Sequence, residues 1–288
     1  MIDEITIGIP THKRPNLLNR ALDGILKEKL TNIKIVVSID GIDETYEEYI
    51  KIEQKFSTNQ IKFIYHKKNI GSLENFLYLR DNCETKYFMW LADDDEIYTE
   101  TIKNLYLKLK NDPLACTAVP YWELLNEKKE KKLLKPCYFN QDSLFKRVFN
   151  YSIVSDDAFF YGLHKLDVLK KSSFSGYWWP NQKSLSNWCY VFQMDIILQG
   201  KVIFLDDPKY KWINHDYGHK YYTKSSTHII FKYFAYFIRR INVYYFYLKK
   251  LLKNRNFFTF LIMIFVYPFL LIRDVVFREP AFHKVKFK

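Results

Sequence analysis

The chain is poor in the residues that mark many fold classes. It has eight glycines in 288 residues, no internal repeat and no low-complexity linker, which excludes a collagenous or disordered chain. Four cysteines, Cys83, Cys116, Cys137 and Cys189, lie far apart with no CxxC or Cys/His ligand spacing, so neither a zinc module nor a disulfide scaffold is indicated. A reduced cytoplasmic protein with buried thiols is the expectation. No signal peptide is read at the start, where Asp3 and Glu4 lead directly into an apolar run. Acidic residues are scarce at the other end. Residues 221–288 hold thirteen Lys or Arg against only Asp274 and Glu279, which is +11 of the chain's formal +12. A near-neutral body therefore carries a basic tail.

What is present is a folded composition, 48% hydrophobic and 18% aromatic, long enough to bury a core without cross-links. The first 112 residues alternate strand-like and helix-like segments, as expected for a mostly parallel sheet covered by helices. Strands are predicted at 5–9 (ended by Pro10), 33–39, 61–65 and 87–91. The intervening helices hold Leu17, Leu18, Ala21, Leu22, Ile25 and Leu26; Tyr46, Tyr49, Ile50 and Phe56; Leu73, Phe76, Leu77 and Leu79; and Ile102, Leu105, Tyr106 and Leu109. Ser72 and Thr99 are the expected helix caps. Beyond Pro113 come an apolar stretch over 115–125, a charged turn at 126–132, a helix at 143–149, a buried strand at 159–163, a helix at 188–198 and a strand at 201–205.

Ligands of open parallel sheets gather at the carboxyl ends of the strands. The unusual polar residues lie there: Pro10, Thr11, His12, Lys13 and Arg14 after the first strand, Asp40-Gly41 after the second, Asn69-Ile70-Gly71 after the third, and Asp93-Asp94-Asp95 after the fourth. Three adjacent carboxylates repel one another unless a cation or solvent relieves them, and oxygen-only ligands suit Mg²⁺ or Mn²⁺. A solvated acidic turn is the plain alternative. For Asp40, ordinary Asp-Gly turn chemistry competes with ligand binding. Arg14 and Thr11 also fit a helix start and a turn, and Asn69 and Gly71 a turn alone.

The ordered set ITIGIPTHKRP, IVVSIDG, NIGS and LADDDE resembles the family 2 glycosyltransferases, over residues 4–112 closely and 155–215 weakly. The resemblance implies a GT-A fold, Rossmann-like with a mostly parallel sheet flanked by helices. It implies an inverting transfer of a hexosyl or N-acetylhexosaminyl group from a nucleotide diphosphate donor, a UDP-sugar above all, to a glycan or lipid-linked hydroxyl. Asp40 would accept a hydrogen bond from the donor base. Pro10, Thr11, Arg14, Asn69 and Gly71 would line the nucleotide pocket, and Asp93 and Asp94 would reach the ribose. Asp95 and Asp93, with His215, would hold Mn²⁺ or Mg²⁺, which stabilises the charge developing on the leaving diphosphate. The family's acid ahead of the last helix is missing: Ser186-Asn187-Trp188 stands there, and asparagine cannot serve as a base. Asp156 or Asp157 is the substitute, with Asp195, read as exposed, a third candidate. A catalytically weak, membrane-associated nucleotide-binding scaffold is the alternative that this departure motivates. His219, Tyr221 and Tyr222 suit a loop over the donor.

Residues 1–113 are thus expected to form the donor half and 114–220 the acceptor half of one domain, and 221–288 a helical basic and aromatic extension. Within the latter, 228–255 reads as an amphipathic helix with Lys232, Arg239, Lys250 and Lys253 on one side. Residues 256–272 lack a formal charge and contain Pro268, which fits a helix in the membrane interface better than a span. Peripheral contact through 228–272 at the inner face of a membrane, in bacterial surface polysaccharide synthesis, is the expectation, with internal packing as the alternative. Nucleic acid fits poorly because the hydrophobic density exceeds what a phosphate-tracking surface needs. Assembly as a homo-oligomer is left open.

Overall fold

The computed structural model describes residues 4–26, 33–58, 60–125, 131–134, 139–154, 158–174, 177–178, 185–186, 188–209, 211–215 and 229–276. The chain forms two compact units, each discontinuous in sequence. The first comprises Met1–Pro136, Ala158–Lys171 and Val202–Tyr217, and the second Cys137–Asp157, Ser172–Lys201 and Gly218–Lys288.

In the first unit β1 (Ile5–Thr11), α1 (Pro15–Leu26), β2 (Ile33–Ile39), α2 (Tyr46–Lys55), β3 (Ile61–Tyr65), α3 (Ser72–Asp81) and β4 (Tyr87–Trp90) follow the alternation read from the sequence. β1 pairs in parallel with β2 on one side and β4 on the other, and β2 with β3. Pro10 lies inside β1 instead of ending it. It is tolerated because pairing with β4 stops at Gly8–Trp90, so no ladder bond is asked of the proline nitrogen. Ser72 and Thr99 are the first residues of their helices, not their caps; Gly71 and Tyr98 hold the cap positions without side-chain bonds.

β5 (Glu96–Ile97) and α4 (Thr99–Asn111) lead to β6 (Ala115–Val119) and β7 (Tyr121–Leu125), two strands where the sequence suggests one apolar stretch, divided at Pro120. β8 (Lys131–Leu134) pairs antiparallel with β7. A short 3-10 turn, Ala158–Tyr161, occupies most of the predicted 159–163 strand. The strand itself, β9 (Leu163–Lys165), is three residues long and lies antiparallel between β4 and β6, followed by α6 (Leu166–Lys171). With β12 (Lys201–Phe204) the order of the main sheet is β12-β6-β9-β4-β1-β2-β3. β13 (Lys211–His215), not anticipated as a strand, joins a second sheet in the order β5-β13-β7-β8. Ile5, Ile7, Ile9, Val37, Met89, Leu105 and their neighbours form the core, with α1 contributing Leu18, Leu22 and Ile25.

The second unit contains α5 (Leu144–Val154), the short β10 (Tyr177–Trp178) and β11 (Leu185–Ser186), α7 (Trp188–Gln199), α8 (Ile229–Lys253) and α9 (Phe257–Val276). α7 is buried along most of its length, and Asp195 is 8% exposed, contrary to the surface position expected for it. Its Oδ2 accepts from the backbone N–H and hydroxyl of Ser173 and pairs with the Lys250 ammonium. Lys250, placed by sequence among the lipid-facing cations, is therefore interior.

Candidate active site

The carboxyl ends of β1, β2 and β4 are held together by a chain of hydrogen bonds whose donors can be assigned. Thr11 Oγ1 donates its single proton to Asp93 Oδ2 at 2.6 Å. The 3.1 Å contact between Thr11 Oγ1 and the Tyr49 hydroxyl must then run from the tyrosine. Tyr49 in turn accepts the Arg14 backbone N–H at 3.0 Å. Tyr49 is 1% exposed and comes from α2, so the position of Asp93 depends on a helix that the sequence motifs do not include. Lys13 takes a left-handed φ of 55° to turn the chain from β1 into α1, where Pro15 opens the helix with its φ already fixed.

Asp93 and Asp95 are 0% and 1% exposed, so the triple aspartate is not a solvated acidic turn. Burial pushes the Asp93 carboxyl up to about 7, against the Arg14 guanidinium and the Thr11 hydroxyl, which favour the charged form; the Asp94 charge adds to the rise. Arg14 NH2 is 2.7 Å from Asp93 Oδ1 and NH1 3.5 Å from Asp94 Oδ2, with the arginine side chain 44% exposed. Arg20 fixes the backbone of the run by donating to the Asp94 carbonyl at 2.7 Å.

Asp40 lies at the same edge, its N–H bonded to the Thr11 carbonyl at 2.9 Å. Its two carboxylate oxygens accept the backbone N–H groups of Ile70 at 2.6 Å and Gly71 at 3.1 Å, which fastens the β3–α3 loop to the end of β2. His12 closes the same region. Its Nδ1 must be protonated to donate to the Asp40 carbonyl at 2.6 Å, which leaves Nε2 to accept from Asn69 Nδ2 at 3.2 Å. Asn75, buried in α3, donates to the Ser38 carbonyl at 3.1 Å and ties that helix to β2.

Thr11, Arg14, Asp40, Asn69, Gly71, Asp93 and Asp94 are therefore brought into one bonded cluster, and Pro10 is buried beside Thr11 in β1. Tyr49, Arg20 and Asn75 were missed as parts of it, and His12 was placed at this edge without a role. Their only signal in the sequence is a polar atom on an otherwise core-facing or loop residue. β13 reaches the same run by backbone pairing, with Ile213 opposite Glu96. His215 follows two residues later, on the Asp95 side of that pair; its side chain lies outside the described residues. So do Asp156, Asp157, Asn187, His219, Tyr221 and Tyr222.

Among the described residues no three His, Cys, Asp or Glu side chains converge as a ligand set. Mg²⁺ and Mn²⁺ do not require one, since one or two carboxylates completed by substrate phosphates suffice. The oxygen-only chemistry of Asp93, Asp94 and Asp95 fits that smaller donor set.

Several known proteins are similar to this chain. A Rickettsia bellii protein described as an uncharacterized glycosyltransferase is 31% identical over 111 residues, 37% of this chain and 16% of that protein. The glycosyltransferase GlyA of Streptococcus pneumoniae is 26% identical over 226 residues, 73% of this chain and 30% of that protein. The chain thus spans less than a third of the length of these curated relatives. Among solved structures, S. aureus TarS in complex with UDP-GlcNAc superposes with a TM-score of 0.59 at 13% identity, covering 83% of this chain and 66% of that one. A mannosyltransferase from Pyrobaculum calidifontis, in complex with GDP-Man and Mn²⁺, gives 0.54 at 10% identity over 93% of this chain and 72% of its own. These superpositions establish the GT-A fold. The sequence model of glycosyl transferase family 2 matches residues 6–165, a segment that carries the whole of the Thr11, Asp40 and Asp93 cluster, and the chain belongs to that family.

Proposed function

We propose that this chain is an inverting glycosyltransferase that moves a hexosyl or N-acetylhexosaminyl group from a nucleotide diphosphate donor, a UDP-sugar first among them, to a hydroxyl of a glycan or lipid-linked acceptor. The observation that carries the reading is the buried Asp93, held at the sheet edge by Thr11 and Arg14 beside Asp40. A carboxylate kept desolvated there at a cost in stability suits a site whose cations arrive with the substrate. The UDP and UDP-GlcNAc complexes of the TarS fold relative support the choice of donor.

Residues 1–113 would serve the donor and 114–220 the acceptor. The Asp40 oxygens keep lone pairs beyond the two amides they hold and suit a base N–H. Arg14, more than a third exposed, suits a diphosphate oxygen. Asp95 and Asp93, with His215, are the residues that would hold Mn²⁺ or Mg²⁺, which when bound supplies charge neutralisation at the leaving diphosphate. The acceptor proton is assigned to Asp156 or Asp157, since Asp195 is engaged by Lys250 and Ser173. A lipid-linked acceptor at the inner face of a membrane, in surface polysaccharide synthesis, suits the basic aromatic helices.

Titration calorimetry with a panel of nucleotide sugars, with and without Mn²⁺, tests the donor class. Metal-dependent binding of at least one, followed by turnover, is expected. The absence of binding to any nucleotide diphosphate overturns the reading, and binding without even slow donor hydrolysis supports the scaffold alternative.

A further inference from the structure

Helix α9 is inverted with respect to a helix on the surface of a water-soluble protein. Its inward residues are Thr259, Met263, Tyr267, Leu270 and Asp274, all 8% exposed or less, and three of the five are polar. Its outward residues are Phe258 (72% exposed), Leu261 (58%), Phe265 (72%), Phe269 (73%), Ile272 (58%) and Val276 (64%), all apolar. At about 100° per residue each set occupies an arc of roughly 80°, and the two arcs are centred on nearly opposite sides. Two of the three inward polar groups are bonded within the unit: Tyr267 meets Ser152 at 3.2 Å, and Asp274 binds Arg240, Arg273 and Tyr244.

An exposed apolar strip on the order of several hundred Å² marks an interaction surface. Phe257–Asp274 is long and apolar enough to cross a bilayer by length and composition. One side of the helix is nevertheless committed to α8 and α5, and charge stands at both ends, Arg273 and Asp274 at one and Lys249, Lys253 and Arg255 around the other. Only the outward strip is left for a partner, so the helix suits a position along an interface and not across it.

We propose that the outward strip of α9, from Phe258 to Val276, docks this chain onto the surface of an anionic phospholipid bilayer. The helix lies in the interface plane, and Lys249, Lys253 and Arg255 at the α8–α9 turn meet the headgroups. Charge selects lipid over a second copy. Residues 229–272 contain no acidic residue, and Lys249, Lys253 and Arg255 at the turn are exposed, so apposing two such faces sets like charge against like, whereas anionic headgroups attract each cation. Lys250, buried on Asp195, and Arg240, buried on Asp274, take no part in the contact. The inference deepens the inner-face part of the proposed function and is independent of the transfer chemistry.

The test is flotation of the full chain with vesicles of phosphatidylcholine alone and of phosphatidylcholine mixed with phosphatidylglycerol. Binding to the mixed vesicles is expected, falling with salt and weak on phosphatidylcholine alone. The double change Phe265→Ser and Phe269→Ser should weaken it at least about tenfold, since each ring loses its burial in the acyl boundary. Lys249→Glu with Lys253→Glu should weaken binding to the mixed vesicles about twentyfold and abolish the preference for anionic lipid. All four side chains are exposed, so both variants should melt with the parent. A monodisperse chain that floats with neither vesicle overturns the proposal, as does a dimer, seen by light scattering, that the phenylalanine changes dissociate. Nucleotide-sugar binding measured on the same variants should be unchanged, which separates failure here from failure of the transferase reading.

Discussion

Two buried aspartates, one in each unit, have opposite surroundings. Asp274 is 0% exposed and its oxygens are met by Arg240 at 2.5 Å, Arg273 at 2.6 Å and the Tyr244 hydroxyl at 2.8 Å. Asp93 is equally buried, but its guanidinium partner is nearly half exposed and its carboxyl is pushed up to about 7. The first is a closed ionic cluster, the second a partly compensated charge. Burial alone therefore does not set the electrostatic state of an aspartate; the degree of compensation does.

The largest effect is expected where compensation is complete. Asp274→Ala removes the acceptor from a cluster in which Arg240 is only 6% exposed, and breaking such a pair leaves a buried charge unmatched at a cost of about 3–5 kcal/mol. Chemical denaturation should register that loss. Donor affinity measured well below the transition should be unchanged, because Asp274 and its bonded partners belong to the other compact unit.

Asp93→Asn should do the reverse. Transfer should fall by about two orders of magnitude or more if the carboxylate acts on the donor or its metal, while stability at neutral pH rises. The sign follows from linkage. The unfolded value of 3.8 lies below the folded value of about 7, so under pH 4 the side chain is protonated in both states and there is no penalty. As pH rises from 4 to 7 the unfolded chain releases a proton that the folded one retains, and stability declines; well above 7 the loss is complete, roughly 4 kcal/mol. Asparagine should flatten that slope in melting temperatures recorded from pH 4 to 8. An unaltered slope would mean that Asp93 is better compensated than its neighbours suggest.

The two regions were also unequally legible in the sequence. The β1–β4 alternation was plain because each apolar run ends in a polar cluster, and ladder bonds and burial then force the runs into a sheet. β9 was not, because a three-residue strand preceded by a 3-10 turn has no period to detect. β13 was missed for a related reason: its partners β5 and β7 lie about 90 or more residues away, and register at that range leaves no local trace. In the site, the aspartates could be read as a group, but Tyr49 could not. Its hydroxyl looks like part of an ordinary amphipathic stripe until α2 is seen to aim it at Thr11. In the tail, Lys250 and Arg240 count as charge in any sequence window, and only the fold reveals that both are neutralised inside.

Glycine changes sharpen the comparison at smaller scale, within the loops that surround Asp40. Gly41 has φ +96°, and a Cβ there would sit 2.8 Å from the Asn69 backbone nitrogen. Gly71 has φ +92° with nothing within 4 Å of the added atom. Gly41→Ala should therefore add backbone strain and a clash together, destabilising by about 2–3 kcal/mol, and shift the loop that Asp40 fastens. Gly71→Ala should add only the backbone strain, destabilising by about 1–2 kcal/mol. Equal losses would mean that the loop gives way freely and that Asp40 does not hold it.

The smallest effect is in the turn between α8 and α9, and its sign is opposite. Arg255 has φ 57°, with its N–H bonded to the Leu252 carbonyl and that of Asn256 to the Leu251 carbonyl, the pairing of a Schellman helix end. Glycine is the residue that position favours, and a side chain in the left-handed region costs about 1 kcal/mol. Arg255→Gly should thus stabilise the chain by about that amount in denaturant titration. The same change should weaken flotation with anionic vesicles severalfold, because one of three exposed cations beside Phe257 and Phe258 is gone. A gain in stability without a loss in vesicle binding would show that the turn carries its arginine for some purpose other than lipid, and would leave the apolar strip of α9 to account for docking by itself.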